Sequence, residues 1–161
     1  MFTLGEIIDL AIRIEKNGES TYRKAQKEVS SSKVSAMLQW LADDEAEHEK
    51  WFGNLKQELF TDMKDSNLEE MGKAILQNVL GNQAFSLEDA DLSKMDNVRS
   101  LLEISLEFEK DTIIFYEMLM GFIEEGKVLS GLEKIIDEEK GHVKRLEDFL
   151  EKKEVLPVKG P

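Results

Sequence analysis

"DDEAEHEKWF", residues 43–52, contains one of only two histidines in a chain of 161 residues. His48 follows Glu45 by three residues, nearly one helical turn, so the two side chains share a face. That face also carries Leu38, Leu41, Phe52 and Leu55. A carboxylate and an imidazole inside an apolar stripe need a physical reason, because burying either group without a partner is costly.

Around this stretch the spacing predicts helices almost everywhere. A helix from about Val34 into the 60s carries Leu38, Leu41, Glu45, His48, Phe52, Leu55 and Leu59, the three-and-four spacing of a seam that faces other helices. Before it, the capping box "TLGE" opens a helix from about Thr3 to about Val29. Its stripe is Leu4, Ile8, Ala11, Glu15, Gly18, Tyr22, Ala25 and Val29, and "SSSK" (30–33) breaks it. Residues 61–95 are more polar and irregular, with a short helical candidate at "LEEMGKAILQNVL" (68–80). A third helix, entered through "SKMD" (93–96), carries Val98, Leu102, Ser105, Glu109, Thr112, Tyr116, Leu119 and Ile123. After the turn "EEGK" (124–127), a fourth carries Val128, Leu132, Ile135, Glu139, His142, Leu146 and Phe149. Residues 1–153 read as one domain and 154–161 as a loose tail. Two short turns and one long middle connection imply two antiparallel hairpins, with the long piece spanning the bundle and joining parallel neighbours. The fold class is all-α, an antiparallel four-helix bundle.

Bulk properties exclude several functions. The chain is 41% hydrophobic and 34% charged with two prolines, a helical composition long enough to bury a core. A formal net charge of −13 disfavours nucleic acid and anionic membrane surfaces as partners. The absence of cysteine removes disulfides, thiolate nucleophiles and cysteine-ligated metal centres. No apolar run approaches the roughly 18 residues of a membrane span, and the N-terminus lacks a signal-peptide pattern, so a cytoplasmic protein is expected.

The second histidine repeats the first. In "DEEKGH" (137–142), Glu139 stands three residues before His142 on the core stripe. An offset of 94 residues superimposes the halves: Glu15 falls on Glu109, Tyr22 on Tyr116, Asp43 on Asp137, Glu45 on Glu139 and His48 on His142. No gap is needed between positions 10 and 56. The chain is a duplicated helical hairpin. Glutamate fills 23 of 161 positions, so one Glu-x-x-His is cheap. Both histidines carrying it by chance falls to roughly 2%.

Glu15 and Glu45 are 30 residues apart with the turn at their midpoint, and so are Glu109 and Glu139. In antiparallel hairpins such pairs come level, here roughly 22 Å from the turn at 1.5 Å per residue. Four glutamates and two histidines therefore converge at one depth. Four carboxylates about 6 Å apart repel by roughly 3 kcal/mol per pair at an effective dielectric near 20, well over ~10 kcal/mol in all. Such a cluster must take up protons, lose its fold or hold cations. Two divalent ions would cancel the charge. One Glu from each of two helices, plus Glu-x-x-His from each of the other two, is the ligand set of di-iron and di-manganese carboxylate bundles.

"EKNGESTY" (15–22), "EKDTIIFY" (109–116), "DEAEH" (44–48) and "DEEKGH" (137–142) resemble the four ligand-bearing segments of the rubrerythrin-type branch of the ferritin-like superfamily. The resemblance covers roughly residues 3–150. It implies a ferritin-like bundle with two iron ions held by Glu15, Glu45, His48, Glu109, Glu139 and His142. Manganese also suits such ligands, and zinc is tolerated. It further implies oxidation of Fe(II) by hydrogen peroxide or dioxygen, in a homodimer or larger assembly. The chain departs from the family at two points. Thr112 stands where rubrerythrin has an additional glutamate one turn beyond the third-helix ligand. The family's rubredoxin domain carries cysteines and these 161 residues have none, so electrons are expected to come from a separate donor protein.

Tyr22 and Tyr116, two turns from Glu15 and Glu109, are candidates to hydrogen-bond ligand carboxylates. Trp40 and Trp51 flank the second motif off its stripe and read as packing residues. Gly18 and Thr112 occupy equivalent positions, where small residues leave room for an oxidant or let helices approach. Two other readings stand beside the catalytic one: an iron-storing or iron-sensing module, and a metal-free structural bundle. Metal stoichiometry separates the last from the others, and steady-state peroxide consumption separates the first two.

Overall fold

The computed structural model describes residues 4–60 and 98–151. Within them lie four long helices: α1 (Leu4–Glu28), α2 (Ser32–Phe60), α3 (Val98–Met120) and α4 (Gly126–Glu151). The capping box at Thr3, the helical candidate at 68–80, the entry at 93–96 and the tail lie outside the described residues. No described helix is long and apolar enough to cross a membrane.

Each helix buries most of the stripe that its spacing predicts; Leu4, Leu59 and Phe149 are only partly buried against the core, and the Val98 side chain lies outside what the structure describes. On α1 the buried positions are Glu6, Ile7, Ile8, Ala11, Ile14, Glu15, Gly18, Thr21, Tyr22 and Ala25, a face wider than a narrow coiled-coil seam. Leu38, Leu41, Phe52, Leu102, Leu119, Leu132 and Leu146 are all inaccessible to solvent or nearly so. Ser31 opens α2, its hydroxyl accepting a hydrogen bond from the Val34 amide at 3.4 Å. The second turn differs from the expectation. α3 ends at Met120, three residues before Ile123, and Gly121, Phe122 and Ile123 donate to the carbonyls of Met118, Leu119 and Met120. These tighter bonds close the helix C-terminus. Ile123 stays buried from within the turn, which is why its apolar spacing read as helix.

Surface pairs fix the registers. Arg23 with Asp43 and Lys56 with Asp9 run antiparallel between α1 and α2. Lys110 with Glu147 and Lys140 with Glu117 do the same between α3 and α4. Such exposed pairs each contribute under about 1 kcal/mol and report geometry more than stability. Between the hairpins, α2 packs on α4, and tyrosines reach between α1 and α3. Both pairings are antiparallel. α2 and α3, the helices that residues 61–97 join, run parallel as expected but stand diagonally rather than side by side. The duplication is the cause: a pseudo-two-fold axis across the bundle sets each helix against its own copy.

Candidate metal centre

The axis passes through the polar cluster. Glu15, Glu45, His48, Glu109, Glu139 and His142 are each at most 3% exposed, between apolar layers above and below. The structure brings all six together in two groups of four. Glu15, Glu45, His48 and Glu139 offer ligand atoms within 4.8 Å of one another, and so do Glu45, Glu109, Glu139 and His142. Glu45 and Glu139 belong to both groups.

Every contact has its copy 94 residues away. His48 Nδ1 lies 3.5 Å from Glu15 and His142 Nδ1 lies 3.6 Å from Glu109. His48 Nδ1 is 3.0 Å from Glu139 Oε1 and its copy, His142 Nδ1 to Glu45 Oε1, spans 3.9 Å; within each motif His48 Nδ1 is 3.4 Å from Glu45 Oε2 and His142 Nδ1 is 2.9 Å from Glu139 Oε2. Tyr22 donates to Glu109 Oε1 at 2.5 Å, and Tyr116 donates to Glu15 Oε1. Thus each tyrosine crosses to the glutamate of the other hairpin.

The ring nitrogens facing away from the cluster are also partnered. His48 Nε2 lies 2.8 Å from Glu138 Oε2, and His142 Nε2 lies 2.9 Å from Asp44 Oδ2. A carboxylate accepting the Nε2 proton leaves the Nδ1 lone pair for an ion. Asp44 and Glu138 escaped the sequence reading. They lie off the stripe and are partly exposed, but each directly precedes Glu45 or Glu139, and they coincide at the duplication offset.

The inward atoms are a different matter. Glu45 Oε2, Glu109 Oε2, both Glu139 oxygens and both Nδ1 atoms are buried without a hydrogen bond. They lie close together, but off the line of any donor. First-row divalent ions sit about 2.1 Å from nitrogen and oxygen ligands, which spaces adjacent ligand atoms about 3.0–3.4 Å apart. The nitrogen–oxygen separations, 2.9–3.9 Å, bracket that spacing. The residues therefore fit a pair of ions, each facing one histidine, with Glu45 and Glu139 shared.

The Rubrerythrin family profile matches residues 6–150. The chain belongs to the rubrerythrin family. Among solved structures, it is similar to a Thermotoga maritima protein assigned as ferritin-like diiron-carboxylate, with TM-score 0.69 and 24% identity over 93% of this chain and 95% of that one. A hypothetical protein from Pyrococcus furiosus superimposes with TM-score 0.71 at 19% identity, over 93% and 89% of the two chains. These likenesses establish the ferritin-like fold. No curated protein matches the sequence.

Without an ion, protons neutralise the cluster. Burial pushes the Glu45 carboxyl well above the usual carboxylate range, and Glu139 and Glu15 add to it. Burial, then Glu109 and Glu15, push Glu139 up to about 7. Burial lowers the His48 imidazole, but Glu139 and Glu15 outweigh it and hold it at about 11. For His142, burial is likewise outweighed, by Glu109 and Asp44, and the ring stays charged. Burial pushes Glu109 up too, but the His142 charge brings it below its ordinary value, so it remains ionised.

Raised carboxyls and raised imidazoles both stabilise the metal-free fold at low pH. The carboxyl contribution fades as pH passes from about 4.5 through 7, and the His48 contribution fades from 6.5 towards about 11. An ion must displace these protons, so affinity rises about tenfold per pH unit for each proton released. Calorimetry of Mn(II) binding in buffers of different ionisation enthalpy should detect proton release between pH 6 and 8. Metal-induced thermal stabilisation should grow over the same range. Binding that takes up protons would contradict this assignment.

Proposed function

We propose that this protein is a non-haem di-iron carboxylate oxidoreductase that reacts with hydrogen peroxide or dioxygen. The carrying observation is the pair of four-residue groups that share Glu45 and Glu139, their inward atoms lacking hydrogen bonds. Bound iron would supply redox change and Lewis acidity in a site closed to bulk water. The chain's own residues prepare that chemistry. Asp44 and Glu138 fix the imidazole tautomers, and Tyr22 and Tyr116 hold Glu109 and Glu15 in place. Burial raises both phenols, with Glu109 and Glu15 adding to the effect, so each stays protonated as a donor. Raised carboxyls at Glu45 and Glu139 can take up or release protons as charge at the centre changes. In this reading the metal is iron, electrons come from outside the chain and the protein works as a homodimer.

Anaerobic titration with Fe(II) should saturate at two per chain, and the loaded protein should consume peroxide. Saturation at one ion would remove the dinuclear reading; two ions without peroxide consumption would favour storage or sensing.

Thr112 sets the expected rate. It is buried, and its hydroxyl donates to the Phe108 carbonyl at 2.9 Å, so its proton is engaged away from the centre and it brings no negative charge. Without the family's additional carboxylate, an oxidised centre is less well neutralised, and turnover under added reductant should be slow. Thr112→Glu places a carboxylate one turn from Glu109 on the same face. Turnover should then rise about tenfold with stoichiometry unchanged, roughly the ~1.4 kcal/mol expected of one added stabilising interaction. No rise in correctly loaded Thr112→Glu protein would show that this carboxylate is not limiting.

A further inference from the structure

The pseudo-two-fold axis generates two equivalent grooves between α2 and α4, and they differ. On one side Trp51 fills the groove, its indole so close to Gly131 that an added Cβ would lie 2.5 Å from Cζ2. At the duplication offset, Gly131 corresponds to Met37 and Trp51 to Arg145. There the groove is open, about 380 Å³, and lined by Lys33, Met37, Trp40, Arg145, Asp148 and Phe149 among others. That volume falls in the range of small-molecule sites.

Charge and ring chemistry specify its occupant. Lys33 and Arg145 face a single acid, Asp148, giving the groove net positive charge in a chain of net charge −13. Neither cation makes an ion pair among the described residues. The Arg145 guanidinium stands 6.0 Å from the centroids of both Trp40 and Phe149, held by the aromatic faces rather than by a carboxylate. This combination suits an anion attached to a flat apolar ring. One wall also leads inward. Trp40 is 40% exposed, yet its ring meets His142 edge-on at 5.1 Å between centroids. Trp40 thus joins the groove to the buried cluster through a single ring contact.

We propose that this groove binds a planar aromatic anion of the flavin mononucleotide class, which in reduced form delivers electrons to the buried site through Trp40 and His142. Its phosphate meets Lys33 and Arg145, and its ring system lies along Met37 and Trp40. In becoming oxidised, the ring gives up two electrons and two protons. The electrons convert two Fe(III) to two Fe(II), and the protons pass to solvent. Electron delivery rests on the di-iron reading; ligand binding does not.

The test begins with fluorescence titration of oxidised flavin mononucleotide into the full chain, as purified and iron-loaded. Quenching should saturate at one per chain. Riboflavin, which lacks the phosphate, and Arg145→Glu should each bind at least tenfold more weakly. The double variant Met37→Gly/Arg145→Trp copies the filled groove and should abolish binding while leaving iron stoichiometry unchanged. Non-saturating quenching, or unaltered affinity in the filled variant, overturns the site. Stopped-flow reduction of iron-oxidised protein by reduced flavin mononucleotide should slow at least tenfold in Trp40→Leu. An unchanged rate overturns the electron route. Failure of the di-iron reading would appear separately, as absent iron uptake in the wild type.

Discussion

Glu139→Ala should hold fewer than one iron per chain, whereas Glu15→Ala should retain about one. The contrast comes from membership. Glu139 offers oxygens to both groups, with Oε1 nearest His48 and Oε2 nearest His142, while Glu15 belongs only to the His48 group. Removing a shared carboxylate strips a ligand and a negative charge from both positions, and also removes the link between them. At Glu15 the His142 group keeps all four members. Losing one of four ligands and its charge lowers affinity by at least the roughly 10–100-fold seen for lost supporting groups. By the same symmetry, Glu45→Ala should behave like Glu139→Ala, and Glu109→Ala like Glu15→Ala. Anaerobic Fe(II) titration with metal analysis after gel filtration reads all four. Equal loss in the four variants would mean that the carboxylates act only as a pool of negative charge. Circular dichroism separates lost binding from lost fold, which is not expected, because proton uptake already keeps the metal-free cluster near neutrality.

What the chain makes legible follows from what repeats. The six central residues stand on heptad positions whose neighbours are Ile, Leu, Phe or Tyr, and a polar side chain there contradicts its own stripe. The contradiction, seen twice at one offset, locates both the bundle and its centre. The same offset would also have shown that α2 faces α4, because a duplicated hairpin that pairs with itself sets each helix against its copy. Connection length alone suggested the wrong neighbours. Asp44 and Glu138 stayed hidden for a different reason. They are partly exposed, and an acidic residue off the stripe is unremarkable where glutamate fills 23 positions. Only the Nε2 contacts single them out. The two tryptophans look alike from sequence, flanking one motif. Their fates are decided by the opposite helix: Gly131 seats Trp51, and Arg145 stands beside Trp40. No local pattern contains that information.

The hidden pair carries the second large effect. Asp44→Ala should weaken binding of one ion, and Glu138→Ala the other, by about 10–100-fold each. The proton on the outer imidazole nitrogen decides the effect. His142 presents Nδ1 to the cluster because Asp44 accepts from Nε2 at 2.9 Å; without that acceptor, neither tautomer is preferred and the ring can turn. Its basicity as a ligand falls as well. Glu138 does the same for His48 at 2.8 Å. The two variants should differ in one respect. His142 is completely buried beside the Trp40 ring, so packing still orients it after Asp44 is removed. For His48, 3% exposed, no comparable aromatic contact stands on its outer side among the described residues, and Glu138→Ala should be the more damaging. Competitive titration of Mn(II) or Fe(II) with a chelator indicator resolves the tight and weak ions in each variant. Asp44→Asn should recover part of the affinity, since its amide oxygen still accepts from Nε2–H but carries no charge. If both alanine variants bind two ions as tightly as the wild type, these outer contacts are surface ion pairs and the tautomer argument fails.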